Sequence, residues 1–195
     1  MKPKIVLLIG IFLAFATHCH AVLGSGGGVI TGIDDGVVPV IEKEHYEVHE
    51  GDFYSATSVD SNITTPEAHY WMFVAPDTSA RIHLNASISA DGAGLIYLYA
   101  EGTVSDSGVA IIPINNDRNS TNLTTARLYN SPAITTKGNL LMASYFGANN
   151  NKTQFGGSAK NNAEYILKQG KVYIIEYLPD TDGKTAVLVI EFYEE

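Results

Sequence analysis

From Ile41 onward, apolar residues fall in short runs separated by polar, glycine-containing breaks. Ile82, Leu84, Ala86 and Ile88 alternate with Arg81, His83, Asn85 and Ser87, the period-two pattern of a strand with one buried face. Leu95-Ile96-Tyr97-Leu98-Tyr99 and Tyr173-Ile174-Ile175-Glu176-Tyr177 are apolar on both faces and read as central strands. The pattern predicts strands at Glu42–His49, His69–Val74, Arg81–Ser89, Leu95–Glu101, Val109–Ile114, Thr124–Tyr129, Asn139–Tyr145, Tyr165–Leu167, Lys171–Leu178 and Ala186–Tyr193. Asp91-Gly92, Glu101-Gly102, Lys137-Gly138, Gln169-Gly170 and Asp182-Gly183 supply turns. Thr181-Asp182-Gly183-Lys184 predicts a hairpin between the last two strands. No window carries a helical apolar stripe longer than two turns, and no internal repeat is present. The expected fold is all-β: a β-sandwich of jelly-roll type over residues 41–195. Its expected core contains Ile82, Leu84, Ile88, Leu95, Tyr97, Ile166, Leu167, Tyr173, Ile175, Leu188 and Ile190.

The N-terminus follows a different pattern. Lys2 and Lys4 precede an apolar run from Ile5 to Ala16, and Cys19-His20-Ala21 places small residues where a signal peptidase reads. The run is short for a membrane span. Residues 1–21 are therefore expected to be a secretory signal cleaved after Ala21, leaving no stable membrane span and placing the protein outside the cell. Residues 22–40, with Gly24-Ser25-Gly26-Gly27-Gly28 and Asp34-Asp35-Gly36, read as a flexible tail.

Composition sharpens this picture. The 195 residues carry 12 Lys+Arg against 21 Asp+Glu, a formal net charge of −9. Loss of Lys2 and Lys4 with the signal would move it to −11. So acidic a chain is a poor match to nucleic acid. The one Cys lies in the signal segment, so no disulfide framework is available and the core alone must hold the fold. Five Asn-X-Ser/Thr sites occur, at Asn62, Asn85, Asn119, Asn122 and Asn151. Asn85 lies in a predicted strand and is the least suited acceptor; the other four are expected on loops.

Reactive constellations are sparse. There is no Gly-X-Ser-X-Gly and no Cys beyond the signal, so nothing marks a nucleophile. His45 and His49 sit in a predicted strand, where four residues span about 13 Å, too far for one ion. The Asp-Gly turns at Asp34-Asp35-Gly36 and Asp180–Gly183 lack the later Glu of an EF-hand loop. Gly183-Lys184-Thr185 resembles a P-loop ending, but Leu178 holds the first-glycine position and a strand follows. No cofactor, metal ligand or catalytic residue is assigned. Trp71 and the 11 Tyr could stack on sugars if exposed, which keeps a glycan-binding surface open.

Several segments together resemble a known family. Glu44-His45-Tyr46-Glu47-Val48-His49-Glu50-Gly51 is similar to an acidic-His-X-Glu-Ile-His-X-Gly opening of small proteins encoded in tailed-bacteriophage structural modules. Ala75-Pro76-Asp77-Thr78, leading to Arg81 and His83, resembles a Thr-Pro-Asn/Asp-Thr segment of the same proteins. Asn116-Asp117-Arg118-Asn119-Ser120 resembles an Asn-Arg-Asn-Arg-Asn-Ser loop, with Asp117 departing from the basic pattern. Glu164-Tyr165-Ile166-Leu167-Lys168-Gln169 and Tyr173 resemble Glu-X-Ile-Leu-Lys-Gln-Asn-Thr-X-Tyr, with Gly170 and Lys171 replacing Asn-Thr. Glu191-Phe192-Tyr193-Glu194 resembles a terminal Trp-Tyr-Glu-His. The resemblance implies a virion-associated β protein in capsid decoration or another accessory structural role, with no catalytic residues. The signal segment and sequons depart from it, since phage particles assemble in the cytoplasm.

The expected function is structural: surface contacts within a homo-oligomer, a trimer being one arrangement open to it, and with a capsid or cell-surface partner. A secreted recognition module, glycan-binding among the options, is the alternative. The expected interface residues are Asn116, Asp117, Arg118 and Asn119 on one loop, and Asn149, Asn150, Asn151 and Phe155 on a second.

Overall fold

The computed structural model describes Val29–Ile30, residues 40–146, Thr153–Phe155 and residues 164–195. The chain divides into Met1–Glu42 and Lys43–Glu195. In the first unit, β1 (Val29–Ile30) pairs antiparallel with β2 (Val40–Ile41), so the segment expected to be a plain tail holds a short ladder. The expected signal segment, residues 1–21, lies outside the described residues.

The second unit opens with a correction. Where a strand was expected over Glu42–His49, the chain forms helix α1 (Lys43–Glu50). Lys43 and Glu47 pair one turn apart at 2.7 Å. Gly51 closes the helix with φ +79°: its N–H donates to the Val48 carbonyl at 3.1 Å, and Asp52 N–H to the Glu47 carbonyl at 3.0 Å. These are the two bonds of a Schellman cap, which needs a left-handed residue where Gly51 stands. The alternation of Tyr46 and Val48 is too short to outweigh a Lys- and Glu-rich turn with a glycine stop.

The strands that follow are β3 (Phe53–Ile63), β4 (His69–Val74), β5 (Ile82–Ala90), β6 (Gly94–Ala100), β7 (Thr103–Asp106), β8 (Val109–Ile111), β9 (Ile114–Asn115), β10 (Arg127–Asn130), β11 (Ala133–Thr136), β12 (Asn139–Phe146), β13 (Thr153–Phe155), β14 (Tyr165–Ile166), β15 (Val172–Pro179) and β16 (Lys184–Glu194). One sheet runs β12-β6-β15-β4-β10-β8. The other runs β13-β5-β16-β3-β9, with β14 also on β5, and β7 pairs β11 in a separate ribbon. Without the excursion between β6 and β12, the order β3-β16-β5-β13/β14 faces β4-β15-β6-β12. That is the strand order of a jelly roll, as the sequence predicts.

The predicted hairpin between the last two strands does not form. β15 pairs β4 and β6, while β16 pairs β3 and β5 in the opposite sheet. Both strands are central, so neither has a free edge for the other. The Asp182-Gly183 turn instead carries the chain across the sandwich.

The core lies between the two inner faces. Trp71, Phe73, Ile96, Leu98, Leu128, Tyr173, Ile175 and Tyr177 from one sheet meet Tyr54, Ala56, Ile82, Leu84, Ile88, Leu188, Ile190 and Phe192 from the other. Phe192 packs against Phe73 across the gap at 5.2 Å. Three expected core residues are elsewhere. Leu95 and Tyr97 are half-buried because β6 turns Ile96, Leu98 and Ala100 inward, and Ile166 is exposed on the short β14. β3, the longest strand with β16, was not predicted. Its inward residues include Ala56 and Ser58, too small and polar to give an apolar signal.

Leu188 has no exposed surface and sits centrally in β16. Leu188→Ala should lower unfolding free energy by about 2–5 kcal/mol, measured by urea denaturation; a change within experimental error would show that this packing does not carry the fold.

Candidate functional site

The excursion between β6 and β12, residues 101–138, holds most of the unusual features. Its near end lies against the outer face of the first sheet. There Glu176, in mid-β15, is only 2% exposed. Lys137, just after β11, reaches both of its carboxylate oxygens at 2.7 and 2.9 Å. Lys137 also stands 5.5 Å from the centre of the Tyr70 ring and 5.7 Å from that of Tyr99, and Tyr70 Oη donates to Glu176 at 3.3 Å. Gly102 permits this approach: a Cβ there would lie 2.7 Å from the Ile174 side chain and 3.0 Å from the Lys137 carbonyl.

Its far end is a loop strapped to the start of β3. Asn115 Nδ2 donates to the Gly51 carbonyl at 2.6 Å, Asn116 N–H to the Phe53 carbonyl at 2.9 Å, and Ser55 Oγ to Asn116 Oδ1 at 2.8 Å. Asp117 N–H donates to Asn115 Oδ1, and Asn119 N–H to Asp117 Oδ1, both at 2.9 Å. These turns set the loop's shape locally. Arg118 Nη1 reaches the Asn115 carbonyl at 3.5 Å, a long contact that leaves the guanidinium exposed. Thr124 Oγ1 donates to Glu194, tying the loop to β16.

The first expected interface loop, Asn116 to Asn119, is thus an ordered, solvent-facing element. Of the second, Asn149, Asn150 and Asn151 lie outside the described residues, and Phe155 takes a β13 position opposite Ile88. Of the sequons, Asn62 is exposed with φ 60° but lies in β3, one residue before its end, and not on a loop as expected; Asn119 is exposed. Asn122 is also exposed, but its amide donates to Asp52 Oδ1 at 3.2 Å and to the Glu50 carbonyl at 3.4 Å. Asn85 is exposed in mid-β5. Asn151 is outside the described residues.

Sequence reasoning missed the apolar side chains beside this loop. Ile112 is 82% exposed, Leu123 87% and Val109 70%, and Ile114 is exposed as well. β8 pairs only with β10 and β9 only with β3, so among the described residues residues 109–115 form the outer edge of both sheets. From Ser107 to Ala126 the only charges are Asp117 and Arg118, which cancel. A neutral, apolar edge on an acidic protein was legible only as an uncharged stretch; its exposure depends on where the sheets end.

Two polar clusters gather titratable side chains. At one end of the core, Asp60 accepts from Trp71 Nε1 at 3.1 Å, Ser58 Oγ at 2.6 Å and Asn130 Nδ2 at 2.5 Å, with His69 Nε2 3.4 Å away. Ser58 is buried and donates to a carboxylate that also accepts from Trp71 and Asn130, so its hydroxyl serves the junction between the two sheets. Trp71 has no exposed surface, which removes it as a sugar-stacking platform. On the second sheet, His83 Nδ1 meets Glu164 Oε1 at 2.9 Å and Tyr193 Oη at 3.0 Å, and its ring stacks on Tyr193 at 4.4 Å. His83 Nε2 lies 3.1 Å from Glu195 Oε2, yet the alignment makes no hydrogen bond. Burial, then the Glu164 hydrogen bond, hold the Tyr193 hydroxyl far above its ordinary range. Both clusters join one element to another.

No protein-family model matches the chain, and no curated protein sequence does. A solved chain from the structure of infectious bursal disease virus, Gt strain, is similar at 12% identity and a TM-score of 0.17, over 90% of this chain and 49% of that one. This chain therefore spans about half the length of that one. Among the described residues no helix is long and apolar enough to cross a membrane.

Two predictions follow from the outer-face ion pair and the buried phenols. Lys137→Met should cost about 3 kcal/mol, the low end for a broken buried pair, because Lys137 is 41% exposed and water can enter its place. Adding Glu176→Met should recover most of the loss; a double variant as unstable as the single one would show that the charge pairing is not the cause. Separately, burial pushes Tyr54, Tyr99 and Tyr177 up to about 12. Burial opposes the Lys137 charge, but its hydrogen bond to Glu176 leaves that ammonium above its usual range. The folded state then holds these protons where the unfolded chain releases them, so stability should fall as pH rises from 10 toward 12. Urea midpoints against pH should show this fall, and Tyr177→Phe should make it shallower.

Proposed function

We propose that the protein is a non-enzymatic structural protein that acts by surface contact as a homo-oligomer of jelly rolls, in the virion-associated, capsid-decorating role that the phage resemblance implies. One observation carries the reading: Val109, Ile112 and Ile114 stand exposed along an unpaired sheet edge, and Leu123 on the loop that follows it, within a stretch of no net charge. Exposed apolar edges are aggregation hazards unless a partner covers them. Copies of an acidic protein repel one another, and a neutral edge is where that repulsion is least. A second copy is therefore the occupant that fits. Arg118 and Asn119 border the edge and supply hydrogen-bond donors at its rim.

The reading extends to the export pattern. The protein is secreted with its first 21 residues removed, and Asn62 and Asn119 are exposed sequons, whereas the Asn122 amide is engaged with Asp52 and Glu50. A glycan-binding module is the weaker reading, because its one indole platform is buried.

Light scattering with size-exclusion chromatography tests the assembly. The wild-type protein should exceed monomer mass at tens of micromolar. Ile112→Asp with Leu123→Asp should give monomers with an unchanged circular dichroism spectrum, and Arg118→Ala should weaken association without abolishing it. A wild-type monomer at that concentration would refute the oligomer.

A further inference from the structure

We propose that His45 and His49 form a two-imidazole site for a borderline divalent transition-metal ion: copper(II), nickel(II) or zinc(II). α1 brings the two side chains onto one face, four residues and about one turn apart. Both are exposed, their rings meet edge to face at 85° with centroids 4.6 Å apart, and their Nε2 atoms are 3.1 Å apart. Two imidazole nitrogens about 2.0–2.1 Å from one ion stand about 2.9 Å apart at a right angle and about 3.4 Å apart at a tetrahedral one. The observed separation, a hydrogen-bond distance between the two rings, falls between these limits, so an ion can replace the proton the two nitrogens share with little movement of either ring.

Ligand chemistry and local field agree. Neutral imidazole suits copper, nickel and zinc, while calcium and magnesium prefer oxygen. His49 lies in the last helical turn, where the backbone carbonyls favour a cation. Glu44 and Glu50 are exposed on the same short helix and add negative charge. Among the described residues no third His, Cys, Asp or Glu completes a ligand set, so water fills the remaining positions.

The spacing matches the two histidines of a His-Glu-X-X-His metalloprotease helix, but the chemistry does not. Tyr46 occupies the position of the general base. Glu47 is 5% exposed and paired with Lys43 at 2.7 Å, away from the imidazoles. The site binds an ion and has no group to activate water on it.

Isothermal titration of the full chain with copper(II), nickel(II) and zinc(II) chlorides tests the site. His18, Cys19 and His20 are present in that chain, so His45→Ala/His49→Ala sets the background. The wild-type protein should bind one more ion per chain than the double variant, with copper(II) tightest. Either single variant should weaken that site by about tenfold or more. The copper(II) spin-resonance spectrum of the wild type should show coupling to imidazole nitrogens that the double variant lacks. Circular dichroism and thermal melting of the metal-free variants should match the wild type, since both side chains are exposed. Equal titrations and equal copper spectra for wild type and double variant would overturn the site.

Discussion

Glu176 is the constraint around which the outer half of this protein is arranged. It sits in the middle of the central strand β15 with almost no exposed surface, and its neighbours in that face are Ile174, Met72 and tyrosines. A carboxylate in such surroundings is tolerated only when a cation meets it. That cation comes from Lys137, near the close of a long excursion between adjacent jelly-roll strands. The sheet therefore depends on the excursion being folded back, and the excursion is anchored where Glu176 lies. Ile174 and Met72, both nearly inaccessible, are covered in the same arrangement.

This anchoring explains how a loop insertion becomes a fixed surface. Held at one end by Lys137, the excursion extends the first sheet with β10 and β8 and the second with β9. Its turn is then tied to Gly51, Phe53 and Ser55 by asparagine side chains and backbone. The result is an ordered edge whose apolar groups face outward while Trp71, Phe73, Tyr173, Tyr177 and Phe192 are buried between the sheets. The two sheets are joined by the same economy of polar contact. Trp71 from one sheet donates to Asp60 from the other at the end of an otherwise apolar interface. With no disulfide available to the folded domain, these contacts and the packed core are what hold it.

Helix α1 shows how one residue can redirect a local pattern. Gly51 accepts the left-handed conformation that ends a helix, and a Cβ at that position would meet the Ser120 hydroxyl oxygen at 2.4 Å. The glycine thus both closes α1 and lets the excursion's turn come close. Its effect reaches the histidines: a strand would have held His45 and His49 far apart, and the helix sets their nitrogens face to face.

The sequence by itself determined the class of fold and most strand positions. Large alternating residues such as Ile82, Leu84 and Ile88 and double-sided runs such as Tyr173–Tyr177 report burial directly, and the Asp-Gly and Lys-Gly turns mark where strands stop. It also located the Asn116–Asn119 loop, because asparagine and aspartate form turns from their own side chains. Tertiary structure decided what depends on neighbours distant in the chain. β3 is a strand because β16 and β9 pair with it, although its inward Ala56 and Ser58 give little apolar signal. The last two strands part to opposite sheets because both are already paired on each side. Ile112 is exposed because both sheets end beside it, at β8 and β9. Periodicity is a property of one segment, whereas edge, partner and sheet membership are properties of the whole assembly of strands.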